Sequence, residues 1–253
     1  MNNSDLNILF DAIKLVESKV YRDFSEIENL QNSYSSAIAF TKKTLEFLNN
    51  KFFDFFSEKR QNYNIVVKGQ NDIKIDRNKN KTIYINSISG IMNFSHALPY
   101  FCTTITVKER VDGNNVVLCG LVNNYATQEL FFVEKNKGCF LKGKFNDLRL
   151  RVSNRPNIDN SIISIKCDLK KEKVKKIIDK VGSFRISGCS ILDIVNVASG
   201  KYDASFIYEK NTFDIDLGVL FVKEAGGSLT YSKDKCDALF ANSLIYSEIK
   251  DLI

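Results

Sequence analysis

The stretch from Thr82 to Phe101, TIYINSISGIMNFSHALPYF, constrains this chain more than any other. Thr82–Ile85 reads as a buried strand that runs into a polar turn through Asn86, Ser87, Ser89 and Gly90. A second segment begins near Asn93 and Phe94. A strand that ends in a polar, glycine-bearing turn is where α/β proteins place ligands. Gly90, Ile91 and Met92 head the second segment, where their backbone N–H groups are placed to cradle an anion.

The flanks set the architecture around that stretch. Leu6, Leu9, Phe10, Ile13, Val16, Val20 and Phe24 recur at helical spacing, and Ala37, Phe40, Leu45, Leu48, Phe52 and Phe55 do so over Ser35–Phe56. Ile65–Val67 reads as a short strand. Cys102–Lys108, Asn115–Val122 and Glu129–Glu134 then join Thr82–Ile85 in an antiparallel meander, with Asp112-Gly113-Asn114-Asn115 as a hairpin signal. Beyond residue 150 strands and helices alternate. Helices are expected over Lys170–Val181, Cys189–Ser199 and Phe213–Ala225, with strands Ser161–Lys166, Ser183–Ile186 and Ala204–Tyr208 between them. The pattern predicts an α+β half over 1–150 and an α/β half over 151–253, packed as one unit without a flexible linker.

Composition narrows the function classes. A chain of 253 residues with 44% hydrophobic and 26% charged residues can bury a sizeable core. The net charge is +6, but the lysines are scattered. The run Lys170-Lys171-Glu172-Lys173-Val174-Lys175-Lys176 reads as a solvated helix face, not a nucleic-acid patch. The six cysteines form no Cys-x-x-Cys pair, which favours reduced thiols in a cytoplasmic protein. The sole histidine, His96, excludes a histidine-rich metal site. Asp5, Asp11 and Lys14 interrupt any signal-peptide core, and no apolar run is long enough for a membrane span.

The 86–101 frame reads Asn86-Ser87-Ile88-Ser89-Gly90-Ile91-Met92-Asn93-Phe94-Ser95-His96-Ala97-Leu98-Pro99-Tyr100-Phe101. It resembles the Asp-Pro-Ile-Asp-Gly-Thr-x-Asn-Phe-x-His-x-x-Pro-x-Phe signature of the inositol monophosphatase family. Four further stretches resemble that family in order. They are Leu121–Gly143, Arg185–Asp193, Val197–Asp203 and Phe213–Gly227, the last with Glu224-Ala225-Gly226-Gly227. Together with the signature they span residues 83 to 227. The resemblance implies a five-layer αβαβα sandwich, commonly a homodimer. It also implies Mg²⁺-dependent hydrolysis of a phosphate monoester such as inositol monophosphate, with carboxylates holding the ions that activate water.

The carboxylates are where this chain departs from the pattern. Asn86 and Ser89 stand in place of two metal-binding aspartates, and Ile91 in place of a threonine that orients water. Gln70 and Asn71 align with the family's paired glutamates, and a shift of two residues would put Lys68 there instead. Lys42 replaces an aspartate on the second helix, and it also reads as a solvated helix residue. Ile207 stands at a glutamate that contacts inositol. Asp214 alone survives, as a metal-ligand relic, a helix N-cap, or both.

One carboxylate with neutral partners implies millimolar Mg²⁺ binding at best, so no cofactor is expected. The first expectation is a catalytically impaired family member that binds a phosphorylated or anionic small molecule, or a protein partner. A non-catalytic interaction protein of the transcription or RNA machinery comes second. A working phosphatase with an altered metal site comes third.

Overall fold

The computed structural model describes residues 4–70, 75–166, 172–208, 213–232 and 237–252. The chain divides into two compact units, Met1–Lys135 and Asn136–Ile253.

The first unit opens with α1 (Asp5–Glu28) and α2 (Tyr34–Lys59). Each starts on a serine cap: Ser4 Oγ accepts from Asn7 N–H and Ser33 Oγ from Ser36 N–H. Ile8, Leu9, Ala12, Ile13, Val16, Val20 and Ile27 form the buried stripe of α1. Asp23 interrupts that stripe and is fully buried. Lys19 pairs with its carboxylate, and Thr44 Oγ1 of α2 donates to it at 2.7 Å. The inward face of α2 is therefore part polar: Ala37, Thr41, Thr44, Leu48, Asn49, Phe52 and Phe56 are buried. This shifts the stripe expected from hydrophobic spacing, and Phe40, Leu45 and Phe55 end half-buried.

A sheet follows, formed by β1 (Tyr63–Val67), β2 (Lys81–Ser89), β3 (Cys102–Val111), β4 (Asn114–Asn124) and β5 (Glu129–Glu134). α3 (Ile91–Ser95) lies between β2 and β3 in sequence. β1 runs parallel to β2, and β2 to β5 pair antiparallel as the expected meander. The β3–β4 hairpin turns at Asp112 and Gly113, both at positive φ as a type I′ turn requires.

Asn86 and Ser87 are not a turn; they are buried strand residues, and β2 continues to Ser89. The register with β3 slips between Asn86 and Ser89, so this part of the strand is bulged. Thr103 Oγ1 donates to the Ser87 carbonyl at 2.6 Å, and the Tyr125 hydroxyl lies 3.0 Å from the same Thr103 oxygen. A strand thus forms where composition alone suggests a turn.

The second unit begins with a hairpin of β6 (Gly138–Leu141) and β7 (Leu148–Arg149). Then come β8 (Ile162–Lys166), α4 (Glu172–Ile178), β9 (Ser183–Arg185), α5 (Ser190–Ala198), β10 (Ala204–Tyr208) and α6 (Ile215–Glu224). β11 (Ser228–Ser232), β12 (Asp237–Ala241) and α7 (Tyr246–Leu252) complete it. The sheet order is β11-β12-β10-β8-β9, with β8 parallel to both β9 and β10. Ile163, Ile165, Val174, Ile177, Leu239, Ile245 and Ile249 form its core between the sheet and helices α4 and α7. Among the described residues no helix is long and apolar enough to cross a membrane.

Cys102, Cys119, Cys139 and Cys189 are buried thiols outside any disulfide, whereas Cys167 and Cys236 lie outside the described residues. Burial, more than any neighbouring charge, pushes the Cys139 thiol up to about 12. The thiolate is the reactive form, so Cys139 should resist alkylation at pH 8. We expect iodoacetamide to spare these four thiols in the native protein and to label all six cysteines after denaturation without reductant. Mass spectrometry counts the labels, and a disulfide in the denatured sample would contradict this.

Candidate functional site

The site begins where β2 ends. Gly90 caps α3 with φ +82, a left-handed conformation that glycine adopts without strain. The Phe94 N–H returns to the Gly90 carbonyl at 3.0 Å, closing the first turn. The first amides of any helix have no acceptor within the helix, and here those include Ile91 and Met92. Both side chains are exposed, Ile91 by 40% and Met92 by 55%.

The remaining signature residues hold this turn in place. Asn93 Nδ2 donates to the Tyr100 carbonyl at 2.7 Å, and Asn93 O accepts from Leu98 N–H. Phe94 and Phe101 are fully buried, meet edge to face at 4.9 Å, and pack with Phe24 of α1. The His96 backbone N–H closes the end of α3, while its ring lies exposed against Tyr34 of α2. These residues are scaffold.

The other expected site residues described in the first unit lie on β2, on α2 and in the turn after β1. The Lys68 N–H donates to the Ile85 carbonyl at 2.9 Å, which seats the end of β1 beside Asn86. Gln70 follows in a turn closed by its own N–H on the Val67 carbonyl, and it is half-buried. Asn86 is only 2% exposed, and Ser89 is half-buried. Lys42 is exposed on α2, which packs against both β2 and α3. Asn71 lies outside the described residues.

Asp214 belongs to the second unit. It occupies the N-cap position of α6, but its side chain makes no capping hydrogen bond. Its carbonyl accepts from Gly218 N–H at 3.2 Å. Ile207 is buried in β10. Two acids from the matched stretches are committed to holding backbone. Glu224 accepts from the Asn136 and Gly138 N–H groups at 2.7 and 2.9 Å. Asp203 is fully buried and gathers Ser153, Arg155 and the Ile162 N–H.

Among the described residues no group of three or more His, Cys, Asp or Glu side chains is arranged to hold a metal. The donors at the end of β2 are an amide and a hydroxyl, which carry no charge to offset the dehydration of Mg²⁺. What sequence reasoning missed is the Ser87–Thr103–Tyr125 chain that shapes the bulge. Burial raises the Tyr125 phenol well above its ordinary value, so it stays protonated as a donor to Thr103. A threonine in a β-branched run gave no local sign of that partnership.

The family model for "Inositol monophosphatase family" matches residues 19–252. An inositol-1-monophosphatase of Caulobacter vibrioides is 27% identical over 230 residues, covering 88% of this chain and 87% of that protein. The Nus factor SuhB of Pasteurella multocida is 24% identical over 233 residues, covering 89% and 84%. The crystal structure of the extragenic suppressor protein suhB from Bartonella henselae superposes with a TM-score of 0.84 at 22% identity, over 99% of each chain. That likeness carries the fold, two sheets with helices, and the sequence match carries the lineage: this chain belongs to the inositol monophosphatase family.

Proposed function

We propose that this protein is a catalytically impaired member of its family that binds a phosphorylated or other anionic small molecule at the β2–α3 junction, without a resident metal. The observation that carries this reading is Asn86. It is a buried, neutral amide at the strand end where the family holds a metal-binding aspartate. Ser89, Gln70 and Asn71 are equally neutral, and Lys42 adds a positive charge. Mg²⁺ in this family supplies an activated water and charge neutralisation of the phosphate. The donor set here does not fit that ion.

Loss of carboxylates also removes repulsion against an anion. The Ile91 and Met92 amides and the Lys42 ammonium then favour one. Asp214, in the second unit, is the surviving acid of the family's set. We further read the protein as a cytoplasmic homodimer, in keeping with its family.

Isothermal titration calorimetry tests the metal and ligand claims together. Mg²⁺ should show no site tighter than about 1 mM. Inositol monophosphate should bind without Mg²⁺ and lose about threefold to tenfold in affinity in Lys42→Glu. A sub-millimolar Mg²⁺ site that disappears in Asp214→Ala would overturn the reading.

A second reading rests on the relatives named Nus factor SuhB. On it, the chain serves as a non-catalytic partner of the transcription machinery. Purified transcription components that bind with an affinity indifferent to Lys42→Glu would favour this second reading.

A further inference from the structure

The tip of the β6–β7 hairpin holds one aromatic ring almost wholly in water. Phe145 is 89% exposed, and Leu148 at the start of β7 is 63% exposed. A floppy loop exposes side chains by default, but this one is built. The Gly143 N–H donates to Asp147 Oδ1 at 3.2 Å, and Lys142 pairs with the same carboxylate at 3.1 Å. A Cβ at position 143 would lie 1.9 Å from the Asn146 carbonyl oxygen, so only glycine closes the loop this way. At its base, the Glu224 carboxylate holds the Asn136 and Gly138 amides.

The surroundings are cationic. Residues 136–151 contain five Lys or Arg side chains and one acid, Asp147, which Lys142 engages, and Glu224 adds a second carboxylate at the base. Lys144 lies 5.6 Å from the Phe145 ring centre, and Arg149 lies 5.9 Å from that of Phe140. A fixed apolar anchor costs little entropy to engage, and flanking charges of one sign select a partner of the other.

We propose that this hairpin tip is a docking site for an acidic, apolar segment of a protein partner, with Phe145 and Leu148 as anchors and Lys144 and Arg149 as selectors. Single-stranded nucleic acid shares the negative charge, but it binds on successive stacking rings. The tip offers one exposed ring and a leucine, which suits an apolar side chain better than a run of bases. The hairpin belongs to the second unit and its argument uses no residue of the β2–α3 junction, so the proposal does not rest on ligand binding there.

Fluorescence anisotropy on the full chain tests it. The probe is a labelled peptide that alternates glutamates with leucine–phenylalanine pairs. Oligoglutamate and oligouridylate of the same length are the competitors. The peptide should bind and should weaken about tenfold in Phe145→Ala and again in Lys144→Glu. Both side chains are exposed, so the melting temperature should not change in either variant. Oligoglutamate should compete poorly. Absence of binding, indifference to Phe145→Ala, or equal competition by oligoglutamate each overturns the proposal. Tighter binding of oligouridylate overturns it in favour of nucleic acid.

Discussion

Replacing Asp203 by alanine should cost about 3 kcal/mol of folding stability, a large share of what a domain has to spare. The carboxylate is fully buried. Its Oδ1 accepts from Ser153 Oγ at 2.5 Å, from Arg155 Nε at 2.7 Å and more distantly from Asn242 Nδ2, while Oδ2 accepts from the Ile162 N–H at 2.9 Å. The Asp203 backbone continues the arrangement, with its N–H on the Ile162 carbonyl and its carbonyl on the Asn242 N–H. One side chain therefore ties the segment before β8 to the strand end at β10 and to the turn after β12.

Alanine leaves the half-buried Ile162 N–H and the buried Ser153 hydroxyl without that acceptor, and this is the larger part of the loss. The partner cation behaves differently. Arg155 is 45% exposed, so water replaces what it loses, and Arg155→Ala should cost about 1 kcal/mol or less. Urea denaturation of the two variants checks the contrast. Equal midpoint shifts would mean that the ion pair, and not backbone satisfaction, carries the stability.

Asp203 also shows how far the sequence alone could be read. Its place in a family-like run was visible, but the run says nothing of whether the acid serves chemistry or architecture. Hydrophobic spacing located nearly every helix and strand, because burial of one face is what such spacing encodes. It failed where polar groups are buried and satisfied from afar. Thr44 counts as core in α2 only because Asp23, twenty-one residues earlier, accepts its hydrogen bond. Asn86 and Ser87 look like a turn because Asn and Ser are usual there. They become strand because Thr103, sixteen residues on from Ser87, holds the bulge. Lys42 and Gln70 were legible as candidates from alignment. Their exposure, one in solvent and one half-buried, was not.

The largest functional effect should come from rebuilding the ligand set, and buried Asn86 shapes the expected outcome. The unmodified protein should release no phosphate from inositol monophosphate above background in Mg²⁺. Loss of about 6 kcal/mol of metal activation alone slows such a reaction roughly 10⁴-fold. Asn86→Asp by itself should destabilise the fold by about 1–3 kcal/mol at neutral pH, because it buries a carboxylate with no metal to pair with.

The sign of the pH dependence follows. Burial raises the new carboxyl's folded pKa above its unfolded value of about 3.9, so the penalty is absent below that pH and grows as pH rises through it. The combined variant Asn86→Asp, Ser89→Asp, Ile91→Thr, Gln70→Glu and Asn71→Glu should show the same alkaline weakness in chelator and recover stability in Mg²⁺, since an ion that binds only the folded state stabilises it. Thermal melts with and without Mg²⁺ read this directly, whether or not turnover returns. Lys42 and Ile207 still stand where the family has acids, so recovery of metal binding should exceed recovery of activity. Single reversions should restore neither, because residues that act as a unit are strongly non-additive. Turnover by the unmodified protein on the order of 1 s⁻¹ would refute catalytic impairment and require a site built from other residues.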